Sequence, residues 1–150
     1  MIAWPGVVGY LLATLPTLPG WGAVLVFDGE PVTGDDPNDW ASVGYITDDH
    51  GGSFVRNNNP DGSGVDEVGT VRCDLTCQSG DEGLTAVRAR AFALASTLDR
   101  KLNNDRTLGG VLSQNGTTTL TVDVLSIEAP DGVAQSLSLT VAYTTTDYPF

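Results

Sequence analysis

Val71-Arg-Cys-Asp-Leu-Thr-Cys-Gln78, followed at once by Ser79-Gly-Asp-Glu82 and a run ending near Asn103, decides how this chain folds. Val71, Cys73, Leu75 and Cys77 alternate with Arg72, Asp74, Thr76 and Gln78. Successive side chains of a strand point to opposite faces, so the alternation predicts a half-buried strand with both thiols toward the core. Ser79 and Glu82 then have capping-box spacing, a hydroxyl followed three residues later by a carboxylate. The helix expected over Ser79–Asn103 carries Leu84, Val87, Ala91, Leu94, Leu98 and Leu102 at intervals of three and four, which places them on one face. Its basic residues gather toward the C-terminal end, where they suit the helix dipole.

On the N-terminal side, Pro5 suits a first helical position, and Val7, Val8, Leu11, Leu12 and Leu15 share a face before Pro16 ends the element. Ala23 to Phe27 is a continuous apolar run, expected to be a strand buried on both faces. A polar loop follows near 34–39, and Trp40 to Thr47 has strand composition, leading to an acidic turn at Asp48 to Gly52. A short strand around Ser53 to Arg56 is expected to pair with it, and 57–66, reading Asn-Asn-Asn-Pro-Asp-Gly-Ser-Gly-Val-Asp, is expected to be a flexible loop. Beyond the long helix, Asn103 to Gly110 is rich in turn formers, and a C-terminal hairpin closes the chain. Leu120 and Val122 lead one strand, whose phase slips near Val124 and Leu125 as a bulge would require. Ala129-Pro-Asp-Gly132 supplies the turn. The return strand sets Val133, Leu137, Leu139, Val141 and Tyr143 against Ser136, Ser138 and Thr140. The order of elements predicts an α+β fold over residues 1–150 as a single domain. A mostly antiparallel sheet carries one short N-terminal helix and one long helix on one face, with a C-terminal β-hairpin.

A chain of 150 residues is long enough to bury a real core. Its 19 acidic and 7 basic residues give a formal net charge of −12, which argues against a phosphate-binding surface, because nucleic-acid affinity rests on Lys and Arg. Five of the seven basic residues, Arg88, Arg90, Arg100, Lys101 and Arg106, fall in one short stretch. Cys73 and Cys77 would lie about 13 Å apart on a strand at 3.3 Å per residue, beyond the roughly 7 Å between Cα atoms that a disulfide allows. Two free thiols follow. The apolar N-terminus has no basic residue ahead of it, no small-x-small cleavage site and three prolines, so neither a signal peptide nor a membrane span is expected.

Catalytic patterns are sparse. His50 is the only histidine, which removes two-histidine metal sites, and its acidic, glycine-flanked turn reads as solvated. No G-x-S-x-G elbow, P-loop or dinucleotide fingerprint is present. Asn57, Asn59, Asp61 and Gly62 match the first half of a calcium loop, but its twelfth position is Val68 and no helices flank it, so no metal and no cofactor are expected. Trp4, Trp21 and Trp40 read first as core and second as interface anchors, Trp21 and Trp40 bordering polar turns. Arg88 and Arg90, two apart on a helix, face different ways, so at most one would meet a partner's carboxylate.

Five segments together resemble the tail-terminator family of long-tailed siphovirus bacteriophages. They are Trp21 to Val32, Asp39 to Ile46, Arg88 to Ala95, Leu102 to Val111, and the closing Leu139 to Tyr143. The likeness spans nearly the whole chain and rests on structural rather than catalytic motifs. It implies a virion protein, assembled in the host cytoplasm, that forms a homohexameric ring in the neck. Such a ring caps the tail tube, stops its growth and joins head–tail connector proteins. DNA would pass through the lumen without specific binding, and no membrane is involved. Six copies would carry about −72 formal charges, and any share lining the lumen would repel DNA. The resemblance carries no active site. Arg88 and Arg90 on the basic helix, Asp35 and Asp36 on an acidic turn, and Trp40 are the residues expected at contacts between subunits or with partners. Another neck component, a connector or tail-completion protein, shares this composition. A secreted calcium-assisted binding module is the alternative of a different class.

Overall fold

The computed structural model describes residues 1–30, 39–45, 50–125 and 132–147. Helix α1 spans Trp4–Thr14, with Pro5 in its first turn, where a missing N–H costs nothing. Two single 3₁₀ turns, Leu15–Thr17 and Trp21–Ala23, lead into strand β1, Val24–Asp28. Next come β2, Asp39–Val43, β3, Gly52–Asn58, and β4, Val65–Ser79. Helix α2 covers Leu84–Asn104, and β5, Thr117–Leu125, with β6, Val133–Asp147, ends the described chain.

Among the described residues these six strands form one sheet in the order β1-β2-β4-β6-β5, with β3 also paired to β4. Only β1–β2 is parallel. The fold is therefore the α+β arrangement that the element order predicts, two helices on a mostly antiparallel sheet with a closing pair of strands. The 15-residue β4 is its spine. One side pairs with β6 along the whole length, while the other is shared by β3 (residues 65–71) and β2 (residues 73–76). The handover occurs at Arg72, whose N–H reaches Gly51 O (2.8 Å) and whose carbonyl accepts from Gly44 and Tyr45. A Cβ on Gly51 would lie 1.8 Å from the Gly44 carbonyl oxygen, so the two backbones meet only because no side chain stands there.

Both helices lie on the face formed by Val71, Cys73, Leu75 and Cys77 of β4 and Leu137, Leu139, Val141 and Tyr143 of β6, all buried. From α2, Val87, Ala91, Leu94, Leu98 and Leu102 meet them, as the spacing predicts. Each large apolar side chain buried here contributes about 1.5–3 kcal/mol. The opposite face carries Ser42, Asp74, Thr76, Ser136 and Ser138, buried but polar, and among the described residues no helix covers it.

Several expectations change. The run at Ala23–Phe27 is an edge strand: among the described residues β1 pairs only with β2, and Leu25 is exposed rather than buried on both faces. The strand around residues 53–56 pairs with β4, not with the Trp40 strand. Of 57–66, residues 59–64 are a turn closed by Asn59 N–H to Gly64 O (3.0 Å), while Asn57 and Asn58 end β3 and Val65 and Asp66 begin β4, so the expected loop is the tip of a hairpin. Ser79 does not cap α2. Its Oγ accepts from the amides of Asp81 and Glu82 at 3.1 and 3.0 Å, a turn at the end of β4, and the helix begins at Leu84, behind Gly83. Leu84, at the first turn, is exposed. No bulge interrupts β5, which pairs residue for residue with β6 from Thr117↔Thr144 to Leu125↔Ser136. Val124 and Leu125 break the apolar phase because both are exposed, beyond the reach of the core. Of the polar loop near 34–39, Asp39 instead opens β2, and the remainder, with the acidic pair Asp48 and Asp49 and the turn at Ala129–Asp131, lies outside the described residues.

Candidate functional site

Arg90, expected at a partner contact, is engaged within the chain. Its Nε and Nη2 grip Asp39 of β2 at 2.7 and 3.1 Å, Nη1 reaches Glu82 at 2.9 Å, and Nη2 also donates to Gln78 O. Asp39 in turn accepts the Gln78 N–H at 3.0 Å. The Asp39 carboxylate holds the guanidinium pKa above its ordinary value. This bidentate pair staples the first half of α2 to the start of β2 and the end of β4. Arg88 is exposed, and its Nε donates to Gln135 Oε1 at 3.2 Å, so it is not simply solvated either. Trp40 lies opposite Thr76 on the helix-free face, half-buried. Arg90 and Trp40 thus serve opposite sides of the sheet, and Asp35 and Asp36 lie outside the described residues. The expected interface set is not brought together by the described part of the fold.

A different cluster is. Glu67 is fully buried on the helix side of β4. Its Oε1 receives Arg56 Nη1 at 2.6 Å from the paired position on β3, its Oε2 receives the Tyr143 hydroxyl at 2.6 Å, and the Ala3 N–H reaches both oxygens. Arg56 continues to Met1 O (2.8 Å) and Asp147 (3.3 Å), and the Met1 amino group pairs with Asp147 as well. Gly69 makes this possible. It faces Tyr143 across the ladder, and a Cβ there would sit 2.5 Å from the phenol oxygen. Burial opposes the charged carboxylate, but the Tyr143 hydroxyl, the Ala3 amide and Arg56 outweigh it, and the Glu67 pKa lies below its usual value. The Tyr143 phenol is pushed up by burial and by that carboxylate. The cluster joins the N-terminal segment, β3, β4 and β6, and it is built for structure: each carboxylate oxygen already accepts two donors. The signal for it was present in the sequence, since Glu67 lies in phase with Val71 and Cys73, a charge at a core position.

The tryptophans divide. Trp21 is buried, in line with the core reading rather than the interface one, with Nε1 donating to Leu94 O (3.2 Å) and Thr97 Oγ1 (2.9 Å). Trp4 is half-buried and donates to Thr70 O at 2.8 Å. Cys73 and Cys77 are free and buried, and burial pushes each thiol up to about 12. Neither is expected to react with an aromatic disulfide reagent in the native protein, whereas both should after denaturation. Rapid native labelling would contradict the core placement.

Among the described residues, no group of three or more His, Cys, Asp or Glu is placed to hold a metal ion. In the calcium-like segment Asn57 belongs to β3, and Asp61 Oδ1 accepts the Ser63 N–H at 2.9 Å. His50 is exposed. A shallow cleft of about 230 Å³ between the end of α2 and the start of β5 is lined by Leu102, Asn103, Arg106, Thr117 and Thr118. No described helix is long and apolar enough to cross a membrane. Compared with protein-family models and with curated proteins, the chain matches none of either.

Proposed function

We propose that this chain is a structural ring subunit of the tail-terminator type, capping a phage tail tube and presenting a surface to the head-side connector. The resemblance of its five segments to that family supports the reading. The observation that carries it is that, among the described residues, six of the ten exposed large apolar side chains, Leu25, Phe54, Val55, Val68, Val124 and Leu125, lie on strands, with Leu84 and Phe92 on α2 and Met1 and Ile2 at the N-terminus. Apolar side chains left outside the core on ordered elements are the raw material of protein–protein contacts. The strongly acidic balance fits a ring through which DNA slides without being captured.

Tube-end labelling tests this. Gold-labelled chain, mixed with tail tubes from the phage that encodes it, is expected at one end of each tube and nowhere along the wall. Binding to portal rings but not to tubes would assign it to the connector instead. Binding to neither would remove the neck reading. The contribution of the basic helix is read from Arg88→Glu alone, because Arg90→Glu would also break the staple to Asp39 and confound assembly with stability.

A further inference from the structure

We infer that neighbouring copies join by continuing the sheet, the outer edge of β5 in one copy adding antiparallel to the outer edge of β3 in the next. The inference rests on the ring reading and goes beyond it by naming the contact. Three properties of the two edges carry it. Among the described residues nothing pairs with the outer side of either strand. An open edge is normally blunted by Pro, Lys, a bulge or shortness. β5 has nine residues, Thr117 to Leu125, with no Pro or Lys and an unbroken register; β3 has seven and likewise neither residue. Both leave apolar side chains outside, Val55 at 60% and Val124 at 58% exposure.

The second property is direction. The pairs β3–β4, β4–β6 and β6–β5 are all antiparallel, so β3 and β5 run oppositely. Repetition of this four-stranded unit places β5 beside the next β3 in antiparallel sense. An even number of strands also keeps the outward N–H and C=O groups of the two edges in phase.

The third is register. Val55, Val68, Thr144 and Thr117 form one row across the unit. Joined along that row, β5 would meet β3 only over Thr117 to Leu120, and the rest of β5 would run into the protruding β1–β2 pair. Sliding by four residues sets Thr121 opposite Val55, keeps every side chain on its own face, pairs all seven residues of β3 with Thr118 to Val124 and brings only Leu125 up to the end of β1. A slide of four residues is about 13 Å across a unit about 19 Å wide, a strand tilt of roughly 35°, within the range of closed barrels. Edge β1 is a poorer acceptor: it has five residues, and its Asp28 and the following Glu30 would approach Asp123.

The test uses the double variant Val55→Cys/Thr121→Cys. Within one chain these positions are separated by β4 and β6 and by four residues along the strand, roughly 20 Å, too far for a disulfide, and Cys73 and Cys77 are buried. Mild oxidation followed by non-reducing denaturing electrophoresis is expected to give a ladder of covalent oligomers up to the ring. Each single variant should stay monomeric, and Val55→Cys/Thr117→Cys, the unslid register, should cross-link at least ten-fold less. A ring seen by native mass whose double variant yields no ladder overturns the edge contact and leaves the ring reading standing. A ladder from Val55→Cys/Thr117→Cys with none from Val55→Cys/Thr121→Cys overturns the slide. A chain that is monomeric both alone and on tail tubes overturns both readings.

Discussion

Arg56→Met is expected to destabilise the fold by about 3 kcal/mol, the lower end of the cost of stripping one partner from a buried pair. Glu67 has no exposure, so it keeps its charge only through its partners. Removing the guanidinium leaves the Tyr143 hydroxyl and the Ala3 amide to compensate the carboxylate. Adding Glu67→Gln should restore much of the loss, since a neutral amide no longer needs the cation. The effect is also pH-dependent, with a definite sign. The folded pKa of Glu67 is depressed, so its stabilisation is complete above the unfolded value of about 4.3 and lost as pH falls through the folded value. The gap between wild type and Arg56→Met, measured by urea denaturation, should therefore narrow from pH 7 toward pH 3. A gap that stays constant over that range would show that Glu67 is not a buried, cation-held carboxylate.

The second large effect is at Trp21. Trp21→Ala is expected to cost about 3–5 kcal/mol, the range for deleting a buried aromatic side chain. The indole fills the space between the turn preceding β1 and helix α2, and its N–H reaches Leu94 O and Thr97 Oγ1. Trp21→Phe keeps most of the volume and removes the donor, so its cost should be about 1–2 kcal/mol. Equal losses for the two variants in thermal melting would mean that the hydrogen bonds, not the packing, hold the turn to α2.

Much of the core was legible before the fold was known. The alternation from Val71 to Gln78 identified the buried side of β4, because that strand packs on helices on one face only. The spacing of Val87, Ala91, Leu94, Leu98 and Leu102 identified the stripe of α2 that meets it. The same reading stopped short at residue 71 for a physical reason. Two core positions of β4 before it are Glu67 and Gly69, a charge and a residue with no side chain, so the apolar alternation is hidden there. β3 is an edge strand with exposed side chains and carries no alternation either, which is why its end, Asn57 and Asn58, reads as part of the loop whose turn occupies 59–64. In the sequence Arg90 reads as a surface cation at a partner contact. Its partner, Asp39, is 51 residues away, and no local spacing reveals such a pair. The Glu67 cluster joins positions from Ala3 to Asp147, and only the register of β3, β4 and β6 brings them together.

The central claim is that this chain functions as a closed ring of copies. Native mass spectrometry of the purified protein over increasing concentration, and of the protein released from tail tubes, tests it most directly. The account predicts a discrete species near 94 kDa, six times the 15.7 kDa chain. A 15.7 kDa species at every concentration and after release from tubes would contradict it.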